Sequence, residues 1–271
     1  MTEPSPAPRL RGKARFVPSD FQDVLRRVPE GCPLVGGQAV AWWAARYGIK
    51  PLEAGHERIV ASRDIDFWGS REDLMRLARQ LNRRPVLPHA YEMTVWVGAV
   101  PLTIQGQATM VEFLHTIPGL DTNNPDQACV EQELVLGDVR KRLQVLTPVS
   151  LVLAKVHALR HFDQKERQDE FHLRVCLQAS VRFLEETVAA GEVRLLLWNV
   201  KRLVSGRQLK AVRRLEQQYG FNLLEAVPLT RLRREAKNPR QSAENRDRLA
   251  RFLAEYWPRI SRKGPRDAAL G

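Results

Sequence analysis

The sequence has few cysteines, no long apolar run and fewer acidic than basic residues. Three cysteines occur among 271 residues, at Cys32, Cys129 and Cys176. An odd number at such wide spacing excludes a disulfide scaffold and a zinc site of the C-x-x-C type, and it suits the reducing cytoplasm. No apolar run approaches the roughly 18 residues that a membrane span requires. The first residues, MTEPSPAPRL, lack the apolar core of a signal peptide. We therefore expect a cytoplasmic protein with no membrane segment.

The shortage of acidic residues is concentrated in the last third of the chain. The whole sequence carries 43 lysines and arginines against 31 acids, a net charge of +12. Residues 191–271 hold 19 basic and 8 acidic residues, so +11 of that charge lies there. Such an excess indicates a polyanionic partner for this part of the chain. A solvated, arginine-rich helical surface is the alternative that charge alone leaves open.

The hydropathy pattern changes near Thr147–Pro148. Strand-like alternation mixed with helical stripes precedes this point, and helical stripes such as Leu151–Phe162 and Gln168–Ala190 follow it. The pattern predicts an α+β fold, in which a mixed sheet with flanking helices is followed by an all-helical part. The predicted divisions are a disordered tail (1–15), a mixed domain (16–147), a basic helical domain (148–262) and a second tail (263–271).

Two further local signals concern the mixed domain. Ser70 and Asp73 have the spacing of a capping box and predict the start of a helix. Farther along, Met93–Val97 and Leu102–Gln105 flank Gly98, and we interpret them as the two strands of a hairpin.

A glycine pair separates a short apolar strand from a helix. Gly36-Gly37 follows Cys32–Val35 and precedes the alanine- and tryptophan-rich stretch Gln38–Tyr47. Glycines at such a point let backbone amides approach a ligand closely, and a helix N-terminus attracts anions. A purely structural tight turn is the alternative.

Three carboxylates lie in predicted strands. Asp64 and Asp66 are two residues apart and so project from one face, while Ile65 and Phe67 face the other side. Two such charges repel, and a hard cation such as Mg²⁺ would stabilise them. Glu112, in an apolar strand, would complete a cluster able to hold two magnesium ions. Solvent-facing acids at strand ends are the alternative reading.

Lys155 lies within an apolar helical face. The residues three and four positions away are all apolar: Leu151, Val152, Ala158 and Leu159. A lysine in such a face either extends to solvent or binds a buried anion, for which a triphosphate is a candidate. Asp169 and His172 are weaker candidates for contacts between the two parts of the chain.

Taken in order, these motifs resemble the nucleotidyltransferase superfamily with its polymerase-β-like fold. The similarity lies in LVGG at 34–37, RDIDF at 63–67 and VEFL at 111–114. The GGQAV segment, the Ile117–Asp121 stretch, and Lys155 followed by Lys165–Asp169 are most similar to the AbiEii-type abortive-infection toxins. The resemblance covers about residues 34–173.

The resemblance implies a role for each motif. Gly36 and Gly37 would hold a triphosphate, and Lys155 would contact its phosphates. Asp64 and Asp66 would bind magnesium. Glu112 stands where the family has a third aspartate, the base for the incoming hydroxyl. A glutamate is one methylene longer, a difference that would misplace the base by about 1 Å and cost about 100-fold in rate.

The function expected from these features is magnesium-dependent transfer of a nucleoside monophosphate from a nucleoside triphosphate to a hydroxyl. The basic helical part points to RNA as acceptor, with the 3′ end of a tRNA as the specific candidate. Four cations whose spacing puts them largely along one helix face would contact RNA phosphates: Arg207, Lys210, Arg213 and Arg214. The protein would then act as a toxin or phage-defence effector, with a cognate antitoxin as a possible partner. A catalytically inactive module that binds nucleic acid or protein is the alternative, and transfer to a small molecule or a protein side chain is a third hypothesis.

Overall fold

The computed structural model describes residues 15–261, apart from residues 54–55, 90, 93, 121–124, 138 and 165–166. The predictions made for most of the two tails, for Asp121 and for Lys165 lie outside the described residues. By its contacts the chain divides after Val175 into two compact units. We describe each unit by itself.

The first unit is built on a six-stranded mixed sheet. The strands of the described chain are β1 (Leu34–Val35), β2 (Leu52–Glu53), β3 (His56–Glu57), β4 (Ile65–Trp68), β5 (Trp96–Ile104), β6 (Gln107–Leu114), β7 (Cys129–Leu136) and β8 (Val139–Leu146). The sheet has the order β5-β6-β4-β1-β8-β7, and β2 and β3 pair separately. The pairs β4–β6 and β1–β8 are parallel, whereas the other neighbours are antiparallel. The three strands β1, β4 and β6 therefore lie side by side in the middle of the sheet.

Helices accompany the sheet in the first unit and form all of the described structure that follows β8. A 3₁₀ turn spans Pro18–Phe21. The α-helices of the described chain are α1 (Gln22–Arg27), α2 (Gly36–Arg46), α3 (Arg71–Gln80), α4 (Pro125–Ala128), α5 (Pro148–His161), α6 (Asp169–Ala189), α7 (Val193–Gln208), α8 (Lys210–Tyr219), α9 (Leu229–Glu235), α10 (Ala243–Arg251) and α11 (Trp257–Ser261). A second 3₁₀ turn spans Leu223–Ala226, and a π-helical segment spans Phe252–Tyr256. The predicted α+β fold, with helical structure after residue 147, is confirmed.

The helix α2 follows β1 without a loop and is held against the sheet by Trp43. Trp43 is almost fully buried, and its indole nitrogen donates a hydrogen bond of 2.9 Å to the carbonyl of Leu146 at the end of β8. A buried indole N–H needs such a partner. This contact orients the N-terminus of α2, where the two glycines lie.

Local signals set several boundaries, and one of them was interpreted wrongly. The Ser70–Asp73 capping box forms at the start of α3. The hairpin predicted around Gly98 does not form, because β5 continues through Gly98 at a register shift and turns at Gln105–Gly106. Gly98 has a φ of +147°, and a Cβ there would lie 2.6 Å from the carbonyl oxygen of Val86. Gly98 therefore permits close approach of a neighbouring segment instead of making a turn.

The second unit contains only helices and turns among its described residues. A buried set of aliphatic side chains forms its core: Leu184, Leu196, Val200, Leu203, Leu223, Leu232 and Leu249. Side-chain amides tie its segments together. The Gln241 amide donates to the carbonyl of Val188 at 2.7 Å, and the Asn245 amide donates to that of Gly191 at 2.9 Å. Within the described ranges, no helix is both long and apolar enough to cross a membrane.

Candidate functional site

The two glycines form the first turn of α2 and lie directly against side chains from the strand β4 and the segment before it. Gly36 has a φ of +64°, and a Cβ there would lie 1.9 Å from Oδ2 of Asp66. A Cβ on Gly37 would lie 2.3 Å from Oγ of Ser62. Side chains at these positions would displace Asp66 and Ser62, so both glycines are required by close approach. The expected combination of glycine turn and helix N-terminus is present.

The predicted carboxylates come together beside this turn. Asp66 pairs in register with Val35 of β1 and with Glu112 of β6. Asp64 lies just before β4, and its Oδ1 accepts a hydrogen bond of 3.2 Å from the backbone amide of Met110. Residues in register on adjacent parallel strands point to the same face of a sheet. The pairing therefore places Glu112 next to Asp66, although the two residues are far apart in sequence.

The electrostatics of Asp66 reflect a crowded group of charges. Burial of its carboxyl is the main cause that raises the pKa of Asp66 to about 6, and the nearby negative charge of Asp64 adds to the rise. The positive charge of Lys155 opposes this rise. Asp66 also shares a hydrogen bond with the side chain of Glu112 and receives one from the backbone of Gly37. Burial and the nearby carboxylate of Asp64 thus disfavour the ionised form of Asp66.

The donor chemistry of the carboxylates fits a divalent cation. Asp64 and Asp66 offer the oxygen ligands that Mg²⁺ prefers, and a cation would relieve the repulsion that raises the pKa of Asp66. In the described ranges, no group of three or more histidine, cysteine, aspartate or glutamate side chains is arranged to hold a metal ion. Metal binding by Asp64, Asp66 and Glu112 stays a prediction, and the carboxyl of Glu112 contacts Asp66 directly.

Lys155 is buried in α5 and has a direct carboxylate partner. Its Nζ donates to Oδ1 of Asp169 at 2.8 Å, and the guanidinium of Arg167 binds the other oxygen of that carboxyl. Burial alone would raise the pKa of Asp169, but Lys155 and Arg167 together lower it to about 2. The charge of Lys155 also reaches Asp66. Lys155 therefore does not extend to solvent, and its contact with phosphates stays a prediction.

His172, on the first turn of α6, lies behind the glycine turn. Its Cε1 would be 3.3 Å from a Cβ on Gly37, and its ring hydrogen-bonds to the backbone of Ala61. Burial, and then the charge of Lys155, lower the pKa of His172 to about 3. The ring is therefore neutral near pH 7. Its Nε2 is buried and has no hydrogen-bond partner among the described residues.

We expect His172 to make the stability of the protein depend on pH. Between about pH 6.5 and pH 3 the unfolded chain binds a proton at His172 that the folded chain does not bind. Acidification across this range therefore lowers the free energy of unfolding, by up to about 1.4 kcal/mol per pH unit. The charges that act on the ring are those of Lys155, Asp169 and Arg15. His172→Gln should flatten this dependence in urea-unfolding series from pH 7 to pH 4.

The matched control for this series is His89→Gln, which removes an exposed imidazole. Its pH profile should follow that of the wild type. Parallel profiles for the wild type and His172→Gln would contradict the assignment of the pH dependence to His172.

The four basic residues predicted to contact RNA do not share one helix face. The chain leaves helical conformation at Leu209, so Arg207 lies in the last turn of α7 whereas the other three lie in α8. Arg207 Nε contacts both carboxylate oxygens of the buried Glu216, at 3.1 and 3.0 Å. Lys210, Arg213 and Arg214 are exposed at positions that share one face of α8. The prediction of a single face was wrong because the helix is interrupted.

Sequence reasoning missed several residues around the glycine turn. Ser62 contacts Gly37, and its position two residues before Asp64 was the available signal. Arg15 and Arg58 lie near this region because Phe16 pairs with Ser62 and because Arg58 contacts the start of α6. No local pattern in the sequence indicates either contact, since each joins segments that are far apart in the chain.

Comparison with known proteins adds a distant structural similarity. No protein-family model matches the chain, and no curated protein matches it. A solved structure that is similar to it is the crystal structure of an antigenic nucleotidyltransferase-like protein from Paracoccidioides brasiliensis. The TM-score is 0.39 at 14% sequence identity, over 61% of this chain and 78% of that chain. At this distance the function is inferred from the site itself.

Proposed function

We propose that this chain is a nucleotidyltransferase, which moves a nucleoside monophosphate from a nucleoside triphosphate to a hydroxyl group. The observation that carries the proposal is the placement of Asp66 against Gly36 and beside Glu112. One small region thus combines a helix N-terminus that can bind phosphate with carboxylates that can bind a cation. The charges of Asp64 and Lys155 both act on the carboxyl of Asp66.

In the proposed reaction the acceptor oxygen forms a bond to the α-phosphorus, and the bond from that phosphorus to the pyrophosphate oxygen breaks. The N-terminus of α2, at Gly36 and Gly37, binds and orients the phosphates. Asp64 and Asp66, with Glu112, would hold magnesium, which when bound neutralises charge on the phosphates. The hydroxyl proton passes to a carboxylate, for which Glu112 is the candidate because β6 places it beside Asp66 in register. Lys155 contributes positive charge to this region.

RNA is the acceptor class that we propose, and the 3′ end of a tRNA is the specific candidate. Residues 191–271 carry +11 of the net charge, and the exposed face of α8 presents Lys210, Arg213 and Arg214. Cations of this kind bind phosphates with little sequence preference and with strong salt dependence. Modification of RNA would arrest growth, so a role as a toxin or phage-defence effector, controlled by an antitoxin, belongs to the same proposal.

One observation favours a second function, a catalytically inactive module that binds nucleic acid or protein. The carboxyl of Glu112, which would have to act as the base, is hydrogen-bonded to Asp66. If that contact persists when nucleotide is bound, Glu112 cannot accept the proton of an incoming hydroxyl. The module would still bind nucleotide at the glycine turn.

The test is incubation of the purified chain with total RNA, magnesium and each α-labelled nucleoside triphosphate in turn. We expect label to enter RNA with one triphosphate, to require magnesium and to be absent with Asp64→Ala. RNA binding by the wild type should weaken steeply as salt is raised. Label found in protein or in a small molecule would show that the acceptor is not RNA. No transfer to any acceptor, despite nucleotide binding, would support the inactive module.

A further inference from the structure

The second unit holds a small cavity near the point where α7 ends and α8 begins. Its volume is about 160 Å³. Six side chains line it: Val204, Arg207, Gln208, Arg213, Leu224 and Ile260. They come from α7, α8, the 3₁₀ turn Leu223–Ala226 and α11, the helix that directly follows the π-helical segment. Segments of π-helix occur frequently at functional sites. The cavity therefore exists only when these separate elements of the second unit have folded together.

One buried carboxylate, that of Glu216, holds two walls of the cavity in place. Both of its oxygens accept from Nε of Arg207, at 3.1 and 3.0 Å. Its Oε1 also accepts a hydrogen bond of 2.9 Å from the backbone amide of Leu223. Glu216 thus ties the last turn of α7 to the 3₁₀ turn. A site whose walls are fixed in advance loses less conformational entropy when a ligand enters.

The size and the walls of the cavity suit one aromatic ring. A cavity of about 150 Å³ in a protein core holds a benzene molecule, whereas sites for drug-sized ligands measure about 300 Å³ or more. Val204, Leu224 and Ile260 supply the apolar contacts that the faces of a ring require. The cavity therefore has room for one ring of a larger molecule and not for a whole nucleotide.

The polar lining residues favour a ring that carries hydrogen-bond acceptors. Gln208 and Arg213 are exposed, and within the described residues no hydrogen bond or ion pair holds either side chain. A guanidinium offers only donors, and the amide of glutamine offers donors and an acceptor. Nucleobases have carbonyl oxygens and ring nitrogens on their edges that can accept from such groups. A phenylalanine ring has no acceptor there, so the lining favours a base over an apolar protein side chain.

Cations that can bind a sugar-phosphate backbone lie next to the cavity. Lys210 and Arg214 are exposed one turn apart on α8, on the face that also carries Arg213. Proteins that bind single-stranded nucleic acid combine such cations for the phosphates with sites for the rings of individual bases. Here both features occur within one helix and the cavity that it lines.

We propose that this cavity binds one unpaired nucleobase of the RNA acceptor, while Lys210 and Arg214 bind the flanking phosphates. The inference rests on the proposed function, because RNA is its acceptor class, and it adds a site that recognises a base. Contacts to phosphates position an RNA but carry no sequence information. A base can enter a cavity only when it is not paired, so the site selects single-stranded ends or loops.

The experiment measures the binding of the full chain to two fluorescent strands by anisotropy, without nucleoside triphosphate. One strand is decauridylate, whose pyrimidine rings carry two carbonyl oxygens, and the other is an abasic strand of the same length and charge. We expect the wild type to bind the uridylate about tenfold or more tightly than the abasic strand. Ile260→Trp fills the cavity and should reduce this ratio to about twofold or less. Gln208→Ala should reduce it about threefold.

The control is Gln218→Ala, which removes an exposed amide from α8 outside the cavity and should keep the wild-type ratio. Gln208→Ala changes an exposed side chain, so the test stays valid if Ile260→Trp fails to fold. Equal affinity of the wild type for the two strands would overturn the inference, and so would a ratio that both cavity variants retain. Binding of an acidic, phenylalanine-containing peptide that Ile260→Trp abolishes, at unchanged RNA affinity, would assign the cavity to a protein partner.

The transfer assay separates this inference from the proposed function. If the cavity variants lose the preference for bases and the wild type transfers no label to any acceptor, the base site stands and the enzyme proposal fails. If the wild type transfers label to RNA and the cavity variants keep its KM for RNA, the enzyme proposal stands and the cavity has no role in binding the acceptor.

Discussion

Nucleotidyl transfer should fall about 1000-fold when Asp66 is replaced by asparagine, while the fold is retained. Asp66 adjoins or interacts with most of the other site residues. It lies against Gly36 and adjoins Glu112 in register. The charges of Asp64 and Lys155 act on its carboxyl. Asparagine preserves its shape but removes the negative charge that would bind a cation. The measurement is incorporation of labelled nucleotide at saturating triphosphate.

The charge at this position raises a second expectation for Asp66→Asn. Because burial and Asp64 make the ionised form of Asp66 unfavourable, the neutral amide should leave the free energy of unfolding at pH 7 unchanged or increase it. The control Asp23→Asn removes an exposed carboxylate from α1 and should keep full activity. Wild-type transfer by Asp66→Asn would refute the role assigned to this carboxylate. A melting temperature far below that of the wild type would show that Asp66 is structural instead.

The free energy of unfolding should fall by about 3–5 kcal/mol when Asp169 is replaced by alanine. Asp169 is almost fully buried and neutralises Lys155 and Arg167. Removing it leaves the buried ammonium of Lys155 with no direct anionic partner among the described residues, and a buried unpaired charge is among the most destabilising changes known. Urea unfolding followed by circular dichroism gives the measurement.

A neighbouring residue provides the matched control for Asp169. Glu170 also lies in the first turn of α6, but its ion pair with Arg174 is half exposed on both sides. Glu170→Ala should therefore cost less than about 1 kcal/mol. The double change Lys155→Met with Asp169→Leu should recover most of the loss, since it removes both buried charges. Equal destabilisation by Asp169→Ala and Glu170→Ala would contradict the prediction that the buried ion pair of Asp169 contributes more to stability than the half-exposed pair of Glu170.

Acidification should weaken the ion pair between Lys155 and Asp169 in the wild type. The pKa of Asp169 is lowered to about 2 in the folded chain, from 3.8. Its contribution, of about 2 kcal/mol, is fully present above the unfolded value and is lost as the pH falls through the folded value. The variant Asp169→Ala lacks this loss, so the difference in stability between the two proteins should shrink below about pH 4.

Most of the residues in the candidate site could be found from the sequence, because each follows a local rule. The alternation in residues 64–67 predicts that the aspartates share a face, and Ile65 and Phe67 are indeed buried on the other side. The glycine pair between an apolar strand and a helix predicts a turn that a ligand can approach. The apolar helical neighbours of Lys155 indicated that this lysine either extends to solvent or binds a buried anion. These rules concern residues within one turn or one strand of each other.

The sequence by itself thus determined the elements, the glycine turn and the identity of the carboxylates. Only the tertiary structure decided which of them meet. Glu112 adjoins Asp66 because β4 and β6 are parallel neighbours, although β5 lies between them in the chain. Strand order and register depend on burying every apolar face at once, and no local window contains that information. For the same reason, only the fold shows that Lys155 binds Asp169 and that Phe16 pairs with Ser62 beside the glycine turn.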